Sequence, residues 1–320
     1  MVNFVHGMES VAENTKFAAA CCFGFFWCAG YALIAPLAMA VRTWRWLIVT
    51  HSALSLIIGV LVFLFVPESP TLSVQRGEKK QFKEFVRLAE RINGRKYEVD
   101  VNDIIKERIQ MDCSVSIDAS ECGEGLTMCQ IIKFICTHPR VLILLVVTSY
   151  MQIATLFAYT GLSLISTALQ VGNANWNFVL SGLVELPAYT VVPKIMQILG
   201  HKLTMITVFV GGAASLIGMH FISPANAAAY LIIWLLAKGL VTGCYMSVLV
   251  ITSQLFPTKC RAFAVGLGLT LSNIGSVLGP HATVLNSIYP ELMFLVFGVA
   301  QAISALFIVI FIEKETPTPV

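Results

Sequence analysis

The sequence predicts an all-α protein that crosses a membrane several times, and three observations indicate this fold class. Apolar residues make up 57% of the 320 residues and charged residues only 12%, whereas soluble domains carry roughly 25% charged residues. The mean hydropathy is +0.79. The apolar residues form eight runs, each near the length of about 20 residues that a helix needs to cross the hydrocarbon core. Eight such spans leave no room for a second, soluble catalytic domain.

The eight runs lie on either side of one long polar segment, residues 67–140. This segment holds twelve of the 21 Lys and Arg residues and twelve of the 18 Asp and Glu residues. The predicted spans are 17–41, 47–66, 141–165, 176–198, 203–222, 227–250, 262–285 and 292–312. We therefore predict a polytopic chain of four parts: two transmembrane helices in 1–66, a cytoplasmic loop with amphipathic helices in 67–140, a six-helix bundle in 141–312, and a cytoplasmic tail in 313–320.

The distribution of positive charge predicts the orientation of the chain, because Lys and Arg near span ends mark the cytoplasmic side. If the polar segment is cytoplasmic, alternation of the spans places four further basic residues on that side: Lys202, Lys259, Arg261 and Lys314. Only Arg42 and Arg45 then lie in an outer loop. The predicted orientation therefore has both ends of the chain inside.

The two spans ahead of the polar segment have the local features of membrane helices. Residues 1–16 lack the apolar core of a signal peptide. The first span contains Pro36, which membrane helices tolerate. The turn after it places Trp44 and Trp46 at the membrane interface, where aromatic side chains anchor helices. Pro67 ends the second span.

The polar segment itself is predicted to contain helices. Its apolar residues repeat at helical spacing between charged ones, at Phe82, Phe85, Val86, Ala89 and Ile92. Gly94 is placed to end this amphipathic helix. Residues 101–111 are predicted to form a second, weaker helix. Residues 114–125 are predicted to form a flexible linker. We favour packing of these helices against the protein over recruitment of a partner.

Small residues in the six-helix bundle predict close contacts between helices. Gly239 and Gly243 share one helix face, and so do Gly275 and Gly279. This spacing is common in apolar segments, so it predicts tight packing and nothing more specific.

The cysteines and the net charge predict no cofactor, no metal and no nucleic-acid partner. The nine cysteines include no Cys-x-x-Cys pair, and the histidines show no paired spacing. We therefore expect reduced, structural thiols. The net charge of +3 is too small to indicate nucleic-acid binding.

Two charged residues lie within predicted spans, where a charge costs several kcal/mol unless it is paired or faces water. Glu185 is near the middle of span 176–198, and Lys238 is near the middle of span 227–250. Both helices run from outside to inside in the predicted orientation, so the two charges have similar depths. We predict an ion pair across a solute cavity. The alternative is a purely structural pair that joins two helices.

Three further polar residues are predicted to line the same cavity: Gln152, Tyr159 and Asn273. An amide at membrane depth can instead bond a neighbouring helix. Tyrosine can pack by its ring or donate through its hydroxyl. For each residue, helix packing is therefore the alternative to contact with a solute.

Seven short motifs follow one another across nearly the whole chain. They are Arg42-x-Trp44-Arg45-Trp46-Leu47, Val66-Pro67-Glu68-Ser69-Pro70, Asn93-Gly94, Tyr159-x-Gly161-Leu162-Ser163-Leu164, Leu183-Val184-Glu185-x-Pro187-Ala188, Ala237-Lys238 and Leu255-Phe256-Pro257-Thr258-x-x-Arg261. Each motif alone is weak. In this order and spacing, the set resembles the organic cation/anion transporter family of the major facilitator superfamily.

The resemblance implies a carrier of twelve spans, whose two six-helix halves rock about a site at the midplane. It implies that this chain begins at the end of span four and supplies spans five to twelve. The second half would then be whole, and the first would keep two helices. The resemblance also implies roles in loops and gates for five residues: Glu68, Arg76, Gly200, Lys202 and Arg261.

The sequence departs from the family pattern at positions that matter for mechanism. Gly200 and Lys202 belong to a run that replaces the family's Asp-Arg-x-Gly-Arg-Arg, which weakens the charge network of the inner gate. Asn273 stands where cation carriers of the family tend to have Asp and anion carriers Arg. The resemblance therefore implies transport of small organic solutes and leaves their charge open.

We expect this protein to transport small organic ions or related solutes by alternating access, in the lipid bilayer of the plasma membrane. The alternative is a non-transporting truncated isoform or degenerate paralogue that associates with a full-length carrier. A membrane enzyme is disfavoured, because the sequence has no His-Glu-x-x-His and no Gly-x-Ser-x-Gly motif.

Overall fold

The fold is that of a computed structural model, which describes residues 11, 16–66, 73, 78–94, 128–166, 174–222, 226–256, 258–289 and 292–312. These residues form helices and no strand. In chain order the helices are α1 (Lys16–Ala40), α2 (Trp44–Phe65), α3 (Lys79–Asn93), α4 (Met128–Thr137), α5 (Pro139–Ile165), α6 (Ala174–Leu183), α7 (Glu185–Leu199), α8 (His201–Met219), α9 (Ala227–Leu255), α10 (Thr258–Ile288) and α11 (Leu292–Phe311).

Eight helical segments of the described residues are long and apolar enough to cross a membrane. They are Cys21–Ala40, Trp44–Phe65, Pro139–Ile165, Asn175–Leu199, His201–Met219, Ala227–Thr252, Phe263–His281 and Leu292–Phe311. The predicted all-α fold and the eight predicted spans are thereby confirmed.

One predicted span is divided into two helices. Residues 176–198 were expected to form one helix, but the structure separates α6 from α7 at Val184. Pro187 accounts for the break, since it has no N–H for the carbonyl of Leu183 and its ring crowds that carbonyl. The Val184 N–H still donates to the Leu180 carbonyl at 2.9 Å, so the chain continues across the membrane. The break places Glu185 in the first turn of α7.

The described residues belong to two compact units. The bundle unit combines Gly24–Met39 with Thr127–Val320, and the loop unit combines Met1–Phe23 with Ala40–Leu126. The middle of α1 thus groups with the later helices and not with α2. The four sequence-based parts and their boundaries stay a prediction.

In the loop unit, helix α3 occupies Lys79–Asn93 and ends at Gly94. Gly94 has φ +64, a left-handed conformation that glycine adopts without strain. The amphipathic helix and its stop are therefore as expected. The second helix predicted at 101–111 and the linker at 114–125 lie outside the described residues. In α2 no residue is buried, so its apolar surface needs lipid or other apolar helices around it.

Helix α4 is a feature of the bundle unit that the sequence did not predict. It lies in the segment assigned to the polar loop. Its residues Phe134 and Ile135 pack in a cluster with Leu145 of α5, Phe256 and Cys260. A ten-residue helix is too short to be stable alone, so these apolar contacts hold it against the membrane helices.

Glycines allow close helix contact in the bundle unit, as predicted. A Cβ atom on Gly275 would overlap the carbonyl oxygen of Ile153 and lie 2.9 Å from the amide nitrogen of Phe157. A Cβ on Gly279 would lie 2.9 Å from the side chain of Thr160. Helices α5 and α10 therefore meet backbone to backbone. This contact fixes α5, which carries several polar residues of the site.

Candidate functional site

The two charged residues predicted to pair do pair. The Lys238 Nζ lies 3.2 Å from the Glu185 Oε1, and both side chains are 0% exposed. Glu185 begins α7 and Lys238 lies within α9, so the pair joins these two helices. The Glu185 Oε1 is the carboxylate oxygen that contacts the ammonium of Lys238.

Tyr159 of α5 contacts both members of the pair. Its hydroxyl donates to the Glu185 Oε2 at 3.0 Å. Its carbonyl oxygen accepts from the Lys238 Nζ at 3.3 Å, and its ring centroid lies 3.5 Å from the same nitrogen. A cation this close to an aromatic face is attracted by the ring quadrupole. Tyr159 is therefore a shared partner of the two charges.

Two residues that the sequence analysis did not select complete the site. The indole Nε1 of Trp27 donates to the Glu185 Oε2 at 3.3 Å, although 57% of the Trp27 side chain is exposed. The Lys238 Nζ also donates to the Ser163 Oγ. Trp and Ser are ordinary residues in membrane helices, so neither was assigned to the site, although Ser163 belongs to the motif that begins at Tyr159. The spacing of Tyr159 and Ser163, one helical turn apart, was the available clue for Ser163.

Helix α1 reaches the site through two reciprocal contacts with α6 and α7. Gly24 accommodates the Tyr189 side chain, which a Cβ at Gly24 would meet at 2.5 Å. In return, Gly182 accommodates the ring of Tyr31. The Tyr31 ring also stacks on Phe178, with centroids 4.4 Å apart and planes 10° from parallel. These contacts hold α1 at the distance from which Trp27 reaches Glu185.

Two of the residues predicted to line the solute cavity do not contact the ion pair. Gln152 is 3% exposed and donates to the Thr252 Oγ1 at 3.4 Å, two turns along α5 from Tyr159. Asn273 is exposed, and its Nδ2 donates to the Leu269 carbonyl of its own helix at 3.0 Å. Their role in a solute cavity stays a prediction.

The residues predicted for loops and gates are described only in part. Gly200 joins α7 to α8 with φ +82, which favours glycine. The Lys202 Nζ donates to the Val309 carbonyl of α11 at 3.2 Å. Glu68 and Arg76 lie outside the described residues, as does the side chain of Arg261. Their gating roles stay predictions.

The arrangement brings together groups that can bind a polar solute. It offers one carboxylate, one ammonium, hydroxyl and indole donors, and a tyrosine face, with a net charge of zero. Within the described part of the chain, no group of three or more His, Cys, Asp or Glu side chains could hold a metal ion. Polar groups that converge in an otherwise apolar membrane bundle are typical of a solute site in a transporter.

Comparison with known proteins agrees with this description. The sequence profile of the Major Facilitator Superfamily matches residues 17–280 and 142–320. A Caenorhabditis elegans protein named as a transporter is 26% identical over 325 residues, covering 100% of this chain and 63% of its own. Human organic cation/carnitine transporter 2 is 27% identical over 321 residues, covering 99% of this chain and 54% of its own.

A solved structure has a similar fold. The proton:xylose symporter XylE, bound to 6-bromo-6-deoxy-D-glucose, aligns with a TM-score of 0.67 at 14% identity and covers 98% of this chain and 67% of its own. The resemblance to organic ion transporters and the superfamily fold are thus confirmed. The chain spans between 54% and 63% of the length of these two curated relatives.

Proposed function

We propose that this chain, which belongs to the Major Facilitator Superfamily, forms the solute-binding part of a carrier for small organic ions or related solutes. The family and the eight spans make it a multi-pass membrane protein whose relatives transport solutes. The carrier would work by alternating access in the plasma membrane. A human relative named for organic cations and carnitine supports the class of small organic solutes.

The buried Glu185–Lys238 pair is the observation that carries this proposal. Two charges inside a membrane bundle cost free energy unless each has a partner, so they are rare where they serve no function. Here they converge with Tyr159 and Trp27 from two further helices. A site assembled from four helices can change shape when those helices move.

The mechanism would use the broken segment α6–α7 and its contacts with α1. Glu185 lies beside the break, where Pro187 leaves the Leu183 carbonyl without its helical donor, and this position would allow α7 to tilt relative to α6. The stacked Tyr31 and Phe178 would separate when α1 moves away from α6. Glu185 and Lys238 would set the charge of the cavity, with Tyr159, Gln152 and Asn273 in its wall.

The decisive experiment measures uptake by cells that express the 320-residue chain, and by cells that express a form extended upstream to the length of the relatives. The panel contains small organic cations, anions and zwitterions. We expect the extended form to take up at least one of them. Uptake by neither form would contradict the proposal and would favour the non-transporting alternative, in which the chain associates with a full-length carrier.

Single substitutions then test the site. The substitutions are made in the form of the chain, 320-residue or extended, that takes up solute. Glu185→Gln and Lys238→Met should each reduce uptake of the preferred solute at least tenfold, which corresponds to a loss of about 1.4 kcal/mol in binding free energy. Lys194→Met is the matched control, since Lys194 lies on the same helix as Glu185 with an exposed side chain. Normal uptake by both site variants would refute the assignment of the pair, even if the protein transports.

A further inference from the structure

We propose that a buried cluster of hydroxyl groups beside the Glu185–Lys238 pair is a second subsite, which binds an uncharged oxygen of the solute, that of a hydroxyl or carbonyl group. The cluster consists of Tyr31 on α1, Ser181 on α6 and Ser166 directly after α5, and we call it the hydroxyl cluster. This inference rests on the proposed function, because it assigns a chemical feature to the solute. It does not depend on the charge of that solute.

Two groups of the hydroxyl cluster lack partners. Within the described residues, neither the Tyr31 hydroxyl nor the Ser181 Oγ has a hydrogen-bond partner, and both atoms are buried. The Tyr31 hydroxyl lies near the side chains of Ser181, Ser163 and Ser166. Ser166 and Ser181 are each 0% exposed. The cluster is therefore shielded from bulk water and contains two donors without acceptors.

The free hydroxyl of Ser181 differs from the usual arrangement of serine in a membrane helix. Such a serine commonly donates to a carbonyl one turn back, as Ser215 does to Gly211 at 2.9 Å and Ser304 to Ala300 at 3.0 Å. Ser181 makes no such bond to the described residues. An unpaired buried donor costs free energy, and a native structure that keeps one commonly satisfies it with a water, an ion or a ligand. The free donors therefore indicate a ligand atom between α1 and α6.

The donors and acceptors of the hydroxyl cluster match an uncharged oxygen. Tyr31 and Ser181 each offer one O–H donor. The Ser166 Oγ already donates to the Ser163 carbonyl at 2.6 Å, so it can only accept a further bond. A hydroxyl oxygen can accept from Tyr31 and Ser181 and donate to Ser166, and a carbonyl oxygen can accept from the first two. Neither group needs a counter-charge, whereas the cluster itself supplies none.

The hydroxyl cluster adjoins the ion pair, so one solute can contact both. Ser163, which lies near the Tyr31 hydroxyl, accepts a hydrogen bond from the Lys238 Nζ. Ser181 lies four residues before Glu185, about one helical turn or roughly 5.4 Å along the helix axis. A solute whose ionic group is at the pair can therefore place an oxygen, a few bonds away, in the cluster.

The two free donors should make the site selective for solutes that carry such an oxygen. A site built to hydrogen-bond a group of its ligand strongly rejects an analogue without that group, because the buried donors then stay unpaired. Tyr31, Ser166 and Ser181 belong to none of the seven motifs that resemble the organic ion transporters. This selectivity therefore does not follow from the resemblance.

Two matched pairs of probes separate the effect of the oxygen from that of charge. Choline differs from ethyltrimethylammonium, and 3-hydroxypropionate from propionate, by one hydroxyl group at constant charge. Affinity is measured on the purified 320-residue chain in lipid nanodiscs, from the dependence of its unfolding temperature on probe concentration. In at least one pair, we expect the hydroxylated probe to bind at least tenfold more tightly than its matched probe.

Variants of the hydroxyl cluster should remove this preference. Tyr31→Phe and Ser181→Ala should each lower the ratio of the two affinities. The double variant should bind both probes of the pair equally, because neither free donor remains. Ser304→Ala is the matched control, since the Ser304 hydroxyl donates to a carbonyl of its own helix, and it should leave the ratio unchanged.

The unfolding temperature without any probe separates this role from a structural one. A hydroxyl that bonds within the protein stabilises it, whereas removal of an unpaired buried hydroxyl is neutral or stabilising. The unfolding temperatures of Tyr31→Phe and Ser181→Ala should therefore equal or exceed that of the unmodified chain. A fall in both variants would overturn the inference, since the two hydroxyls would then serve the fold.

Equal affinities within both probe pairs on the unmodified chain, or the binding of no probe, would also overturn the inference, and the hydroxyl cluster would then hold water only. A preference that survives in the double variant would overturn its assignment to Tyr31 and Ser181. The proposed function fails separately, on the absence of uptake across the broad panel by both the 320-residue and the extended forms. Uptake without a preference for the hydroxylated probes would retain the proposed function and refute the subsite.

Discussion

At the scale of single residues, the site shows how a membrane protein keeps a carboxylate away from water. Glu185 has one ammonium and two neutral donors, and the donors come from different helices. Hydrogen bonds to charged groups are about twice as strong as those between neutral groups. The Tyr159 hydroxyl is therefore expected to stabilise the folded protein as well as to orient the carboxylate.

Removing that hydroxyl gives a direct measure of its contribution. Tyr159→Phe should lower the free energy of unfolding by roughly 1.5–3 kcal/mol, the range for a hydrogen bond to a charged group. The unfolding temperature in detergent or nanodiscs reports the change. Tyr289→Phe is the matched control, because the Tyr289 side chain is 62% exposed. Equal unfolding temperatures for the two variants would mean that the Tyr159 hydroxyl does not stabilise the fold.

At the scale of elements, some features could be predicted from the sequence and others could not. The spans and the charged pair were predictable, because long apolar runs and charges within them have few alternative explanations. The break at Val184 was not, although Pro187 was its signal, since membrane helices also tolerate proline without ending. Trp27 was missed because its partner lies 158 residues away, a distance that local patterns do not bridge.

The contact between α5 and α10 gives a sharp prediction at this scale. Gly275→Ala places a Cβ against the backbone of Ile153 and Phe157, which has no flexible side chain to move aside. Overpacking of this kind costs roughly 1–3 kcal/mol, so the unfolding temperature should fall. Gly266→Ala on the same helix is the control, since its Cβ would meet nothing within 4 Å. That control should be neutral or slightly stabilising; a similar loss in both would show that alanine itself harms the helix.

At the scale of the whole molecule, charge is separated by region. The polar segment holds most of the charged residues, the described residues of the bundle unit include the buried Glu185–Lys238 pair, and α2 buries no residue. This distribution is expected of a chain whose apolar helices lie in lipid. It also predicts an orientation, because basic residues near span ends favour the cytoplasm.

Labelling with a membrane-impermeant maleimide tests this orientation. Thr43 lies next to Arg42 in the turn ahead of α2, and Lys83 lies on α3; both side chains are exposed. Thr43→Cys should therefore react in intact cells, whereas Lys83→Cys should react only after the membrane is permeabilised. The unmodified chain, with its native cysteines, supplies the background. The reverse pattern would place the polar segment outside, and the charge of the loops would then not determine how this chain crosses the membrane.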